Sequence, residues 1–204
     1  MHRLVRYRSR ALRRAFTLIE VMIVVVIVGV LAVLGVIGYR RYVTTAHTAE
    51  ATHLTGGIRA AQEAFKVEKG IYADVSADTS SLYPAAAPGA FKTEWGGNCN
   101  NCKGDPNAWK QLAVHPAGPV MYGYATVAGV GGADLAAVPP PPKVSAASFA
   151  PMGDLGGGGG AAPIKATDPF YVTVAWGDTD ADGNPCVVMS YSTSNQLVIQ
   201  SAGE

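Results

Sequence analysis

The sequence predicts an α+β fold in which one long N-terminal helix packs on a small antiparallel β-sheet. Three observations carry this expectation. Val21 to Gly38 (VMIVVVIVGVLAVLGVIG) is an apolar run of eighteen residues without a charge. A polar–apolar pattern of helical period follows it. Four short segments rich in Val, Tyr and other β-formers are confined to the second half of the chain. With 204 residues, the chain has room for one modest domain and an anchor.

The helix comes first. An apolar run of this length is enough to cross a bilayer core, which needs about 20 residues. Beyond it, Leu54, Ile58, Ala61 and Phe65 recur at i, i+4, i+7 and i+11, one stripe of a helix. Thr55, Arg59, Gln62, Glu63 and Lys66 lie between them and are assigned to a polar face. Gly70 follows Glu68-Lys69 and is a candidate C-cap. Taken as one element, Phe16 to Lys69 would measure about 80 Å at ~1.5 Å per residue. Half would lie in the membrane, and the amphipathic half would lie against a soluble domain. Gly56-Gly57 weakens such a helix by roughly 1 kcal/mol per Gly relative to Ala, marking a bend or a close backbone approach.

Residues 71–119 show little periodicity. Asp74 to Pro88 reads as a connecting loop, and Trp109 to Val114 as a short helical turn. Strands are expected at Val120–Val127, Phe170–Trp176, Cys186–Ser192 and Gln196–Gln200, each bounded by Gly, Pro, Asp or Asn. Ser192-Thr193-Ser194-Asn195 is a hairpin turn. Between the first two strands, about 128–168, Pro139–Pro142 and Gly156–Gly160 mark low-complexity sequence, read as an exposed loop without core. Three or four short strands alone are marginal, so the sheet needs the helix.

The formal net charge of +1 hides an asymmetry. Six Arg and no acid occupy residues 1–15, and the remainder then carries ten basic and fifteen acidic residues, about −5. A mature chain of that sign has little general attraction for nucleic acid. The leader reads as a topology signal. Six Arg before the apolar run, against Arg40 and Arg41 after it, keep the N-terminus cytoplasmic. Residues 42–204 then lie outside the cytoplasmic membrane. A secretory signal peptide would need a small-residue cleavage site after the run, and Leu34-Gly35-Val36-Ile37-Gly38 is a poor one. An uncleaved anchor is the blander reading.

In the outer part, Asp178-Thr179-Asp180-Ala181-Asp182-Gly183-Asn184 places alternating carboxylates and an Asn where a looping backbone could converge them on one cation. The twelfth position of an EF-hand loop is here Met189, so the run is not an EF-hand. A partial calcium loop over Asp178, Asp180, Asp182 and Asn184 stands beside a solvated Asp-Gly turn. Cys99, Cys102 and Cys186 cannot all pair within one chain. A bridge from Cys186 to Cys99 or Cys102 would staple the loop at 99–105 to the sheet, and a local Cys99–Cys102 bridge is the alternative. No Ser/His/Asp arrangement, paired carboxylates or phosphate loop is present, so the sequence points away from an enzyme.

The segment Arg13-Arg14-Ala15-Phe16-Thr17-Leu18-Ile19-Glu20, with the apolar run behind it, closely resembles the N-terminus of type IV prepilins and pseudopilins. Ala64–Tyr72 (AFKVEKGIY) is similar to the helix end of pilins. The resemblance implies a type IV pilin fold: a basic leader 1–15, a helix 16–70 whose first part (about 16–39) is the assembly core, and a globular head 71–204. It implies cleavage between Ala15 and Phe16 by a membrane peptidase that also methylates Phe16. The family usually has Gly where Ala15 stands, and the Pro frequent within its anchors is absent. Glu20 would be the assembly carboxylate, neutralised by the Phe16 amine of a neighbouring subunit. The C-terminal disulfide loop of many pilins resembles a bridge from Cys186, and the calcium loop of major type II secretion pseudopilins favours a cation at 178–184. The implied role is a structural subunit polymerising with itself into a surface filament, driven by pilus or type II secretion machinery. Alternatives are a periplasmic pseudopilin or a membrane-anchored binding module that never polymerises. Adhesion, motility, DNA uptake, secretion and electron transfer are all compatible with such a filament.

Overall fold

The computed structural model describes residues 16–96, 104–131, 168–192 and 196–201. Helix α1 spans Leu18–Lys69. A short helix α2, Pro106–Trp109, continues into a 3-10 turn at Lys110–Leu112. Four strands follow: β1 (Gly123–Gly129), β2 (Phe170–Gly177), β3 (Cys186–Tyr191) and β4 (Val198–Gln200). They form one sheet in the order β1-β2-β3-β4, every neighbour antiparallel. The α+β arrangement expected from the sequence is therefore present, with β4 two residues shorter than predicted and β1 shifted to start at Gly123. The shift has a local cause, since Val120 pairs with Thr93 in an isolated bridge instead of joining the strand.

The chain divides after Arg40 into two compact units. In the first, α1 begins at a T-x-x-E capping sequence, where the Glu20 backbone N–H donates to Thr17 Oγ1 at 3.3 Å. This cap explains why the helix opens at Leu18 and not at Phe16. The apolar side chains from Leu18 to Ile37 are all at least half exposed within this chain. This helix is long and apolar enough to cross a membrane.

In the second unit, the remainder of α1 packs on one face of the sheet. Ala51, Leu54 and Ile58 join Val75, Tyr83, Trp109, Tyr122, Tyr124, Ala175 and Val188 in the main core. Gly70 closes the helix in the left-handed conformation (φ 78°), its N–H donating to the Lys66 carbonyl at 2.8 Å. Gly56 and Gly57 remain helical, and a Cβ on either would meet nothing within 4 Å, so the close approach expected there is not found.

The assignment of Thr55 and Gln62 to a polar face is corrected. Both are fully buried, because the buried stripe runs Thr48, Ala51, Thr55, Ile58 and Gln62 as well as Leu54. Gln62 is accommodated by saturation of its amide. Its Nε2 donates to the Ala73 carbonyl (2.8 Å) and Thr126 Oγ1 (3.1 Å), and its Oε1 accepts from Ala73 N–H (2.9 Å). Thr126 meets Thr173 at 2.9 Å, and Thr173 is in register with Ser190. A row of small hydroxyls thus crosses three strands beneath Gln62.

The stretch between α1 and β1 is irregular but not loose. Tyr72, Val75, Leu82 and Tyr83 are buried, and Tyr83 exchanges both backbone hydrogen bonds with Tyr124 (2.9 and 2.7 Å). Asp105 caps α2 by accepting from Asn107 N–H at 2.8 Å. Trp95 lies edge-on to Tyr83, Trp109 and Tyr124. The opposite sheet face also buries side chains: Phe170, Val172, Val174, Val187, Met189 and Tyr191 form a second cluster. Of the expected loop at 128–168, residues 132–167 lie outside the described residues, and β1 extends to Gly129 inside its expected start.

Candidate functional site

Two places bear on function. The first is the start of α1. Phe16 is 75% exposed, and Glu20, also exposed, sits in the first helical turn. A carboxylate here favours the helix through the dipole as well as through the cap. The same segment therefore joins a local role for Glu20, at its own helix end, to an exposed apolar surface on every side beyond it. Ala15 lies outside the described residues.

The second place is the β2–β3 connection, Asp178 to Pro185. A carboxylate oxygen from each of Asp178, Asp180 and Asp182 lies within 4.8 Å of the others. The loop folds through left-handed positions at Ala181 (φ 59°) and Gly183 (φ 91°), which draw the alternating acids to one side. Gly183 N–H donates to Asp178 Oδ2 (3.1 Å), and Asn184 N–H to Asp182 Oδ1 (2.6 Å). Three of the four sequence candidates converge by their carboxylates, and Asn184 lies beside them, its side-chain amide donating to Asp182 Oδ2 at 3.3 Å. Met189, at the twelfth position from Asp178, is fully buried in β3.

The root of this loop is fixed by close backbone contact. Asp178 N–H donates to the Pro88 carbonyl at 3.3 Å. A Cβ added at Gly89 (φ 114°) would fall 2.2 Å from the Asp178 carbonyl oxygen, so only glycine fits there. Asp178 Oδ1 is buried and has no hydrogen-bond partner. A buried carboxylate oxygen without a donor is costly, and a bound cation would satisfy it. By that criterion the acidic loop fits a hard cation with oxygen ligands, with Asp178 the anchored member and Asp180 and Asp182 the exposed ones.

Cys186 opens β3 as a free, buried thiol, its Sγ 3.8 Å from Thr48 Oγ1. Its proposed partners, Cys99 and Cys102, lie outside the described residues. Beside it, burial pushes the Tyr122 hydroxyl well above the usual phenol range. That hydroxyl sits near Cys186, Thr48 and Thr179 but makes no hydrogen bond of ordinary geometry. Sequence reasoning missed Thr48, Tyr122 and Gly89. Thr48 could have been found from its i, i+3 relation to Ala51, whereas the other two depend on contacts distant in sequence.

Residues 10–36 match the prokaryotic N-terminal methylation motif, the class III signal peptide of type IV pilins and pseudopilins. No curated protein and no solved structure is significantly similar to the chain.

Proposed function

We propose that this chain, a type IV pilin-like or pseudopilin precursor by its methylation motif, matures into the structural subunit of a filament that polymerises through its apolar N-terminal helix. The observation that supports this most is the exposed apolar surface of α1 from Leu18 to Ile37, headed by a single carboxylate at Glu20. In a bilayer that surface is solvated by lipid. On extraction into a filament it must be covered by copies of itself. A free amine at Phe16 of a neighbouring subunit would neutralise Glu20 in that low-dielectric core and set the stagger between helices.

The motif implies handling by a prepilin peptidase and assembly machinery. Cleavage would fall between Ala15 and Phe16, with methylation at Phe16. The precursor, anchored in the cytoplasmic membrane with residues 1–15 inside, would give a mature chain in a surface pilus or a periplasmic filament. Residues 71–204 would form its outer face. The N-terminus of the mature chain tests this: methylated Phe16 supports it, and a retained Met1 contradicts it.

We also propose that the loop at 178–184 binds calcium, on the strength of the converging carboxylates and the unpartnered Asp178 Oδ1. A cation there would close the β2–β3 hairpin. Calcium at 100 times its dissociation constant stabilises the folded state by about 2.7 kcal/mol. For a chain of this size that raises the unfolding temperature by roughly 5–10 °C over the same protein in chelator. Coincident unfolding curves would contradict calcium binding. This cation site favours the periplasmic pseudopilin as the second reading of the filament.

A further inference from the structure

A niche of about 10 Å³ borders the acidic loop, lined by Thr44 of α1, by Asp180, Asp182 and Asn184, by Cys186 at the head of β3, and by Ser201 after β4. It has room for a single ion or water. Its walls come from three parts of the second unit: α1, the β2–β3 connection and the end of β4. Among these walls are hydroxyl, carboxylate and amide oxygens of the kind a hard cation takes. The thiol of Cys186 is too soft a ligand to compete for calcium.

A second observation points into the same place. Tyr122 is fully buried, and its hydroxyl lacks a hydrogen-bond partner. It lies beside Cys186 and Thr179, both of which wall the niche. The ring is held against Gly177, where an added Cβ would come within 2.9 Å of Tyr122 Cδ1. A buried phenol at this spot is left without a partner unless an ion or its bound water meets it.

We infer that the cation of the acidic loop is held by a clasp of three elements, in which Thr44 of α1 and Ser201 after β4 complete the shell begun by Asp178, Asp180 and Asp182. The inference rests on the cation reading of that loop and adds two ligands outside it. Its consequence is mechanical. A cation held only by the loop would order one hairpin. One held by the clasp ties the C-terminal edge of the sheet to α1. Strand β4, three residues long, is the element with most to gain.

The test uses the full chain in detergent micelles, with terbium as a luminescent stand-in excited through nearby tyrosine and displaced by calcium. The wild type binds. Thr44→Val, which removes the hydroxyl at nearly constant volume, weakens binding about 10-fold, the scale of a lost supporting ligand. Thr44→Ser restores it. Ser201→Gly, which suits the left-handed backbone at φ 53°, weakens binding to a similar extent. In the wild type, calcium slows amide hydrogen exchange at Val198–Gln200, and in Thr44→Val it does not. Wild-type affinity within twofold in both Thr44→Val and Ser201→Gly overturns the clasp while leaving the cation reading intact. A wild type that binds no ion overturns both. Should Thr44→Val unfold in chelator, Ser201→Gly decides alone.

Discussion

Glu20→Val should insert into the membrane as the wild type does and yet yield no filament. The apolar surface of α1 drives insertion without help from Glu20, and valine only extends it. In a packed helical core the carboxylate is costly unless it is paired. If pairing with the Phe16 amine of a neighbour contributes about 2.8 kcal/mol, its loss shifts each subunit's addition equilibrium by about 100-fold. A competing role is visible locally, because Glu20 sits in a T-x-x-E cap with Thr17. Glutamine serves that cap as well as glutamate. Glu20→Gln therefore separates the two roles. Charge pairing predicts that Glu20→Gln loses filaments as Glu20→Val does, with the monomer still in the membrane by fractionation. Normal filaments in Glu20→Gln would assign Glu20 to the helix end alone.

Gln62→Leu should be strongly destabilising although it nearly conserves volume. The glutamine amide satisfies both backbone groups of Ala73 and the Thr126 hydroxyl, all in the buried interface between α1 and the sheet. Leucine fills the space but leaves the Ala73 N–H and carbonyl without the amide, each costing about 1–3 kcal/mol, while the Thr126 hydroxyl keeps Thr173. Some relaxation is expected, and a net loss of about 2–4 kcal/mol follows. That lowers the unfolding temperature by roughly 5–15 °C, measurable by circular dichroism. Gln62→Glu keeps one acceptor but buries a charge and should fare no better. An unchanged unfolding temperature in Gln62→Leu would mean that Gln62 does not staple the helix to residue 73.

Sequence reading is firm where the signal is local and stops where it is not. The expectation for Glu20 rests on a local signal. A lone acid between an aromatic start and eighteen uncharged residues has few readings. The C-cap at Gly70 and the β2 and β3 strands were legible for the same reason, through a positive-φ residue and dense β-formers bounded by turn residues. Gln62 was misplaced because polarity was taken as exposure. Its burial depends on Ala73, eleven residues on, and on Thr126 in β1. The loop between α1 and β1 was underread because its order comes from single bridges, Tyr83 to Tyr124 and Thr93 to Val120, and from an aromatic cluster around Trp109, none of which has a period.

The acidic loop sits between these cases. The alternating Asp residues pointed to convergence, and Asp178, Asp180 and Asp182 do converge. Asn184, placed in the same set from spacing alone, hydrogen-bonds Asp182 beside them. The anchoring of Asp178 by Pro88 and Gly89 lay beyond the reach of a local pattern, because those residues are ninety positions earlier.

The measurement that tests the account most directly is the intact mass of the protein from sheared surface material and from membranes. A mass starting at Phe16 with one added methyl group, recovered in the sheared fraction, is the predicted result. The same mass confined to membranes would favour a periplasmic pseudopilin or a minor pilin. A chain that retains residues 1–15 in both fractions would contradict processing and leave a plain membrane anchor.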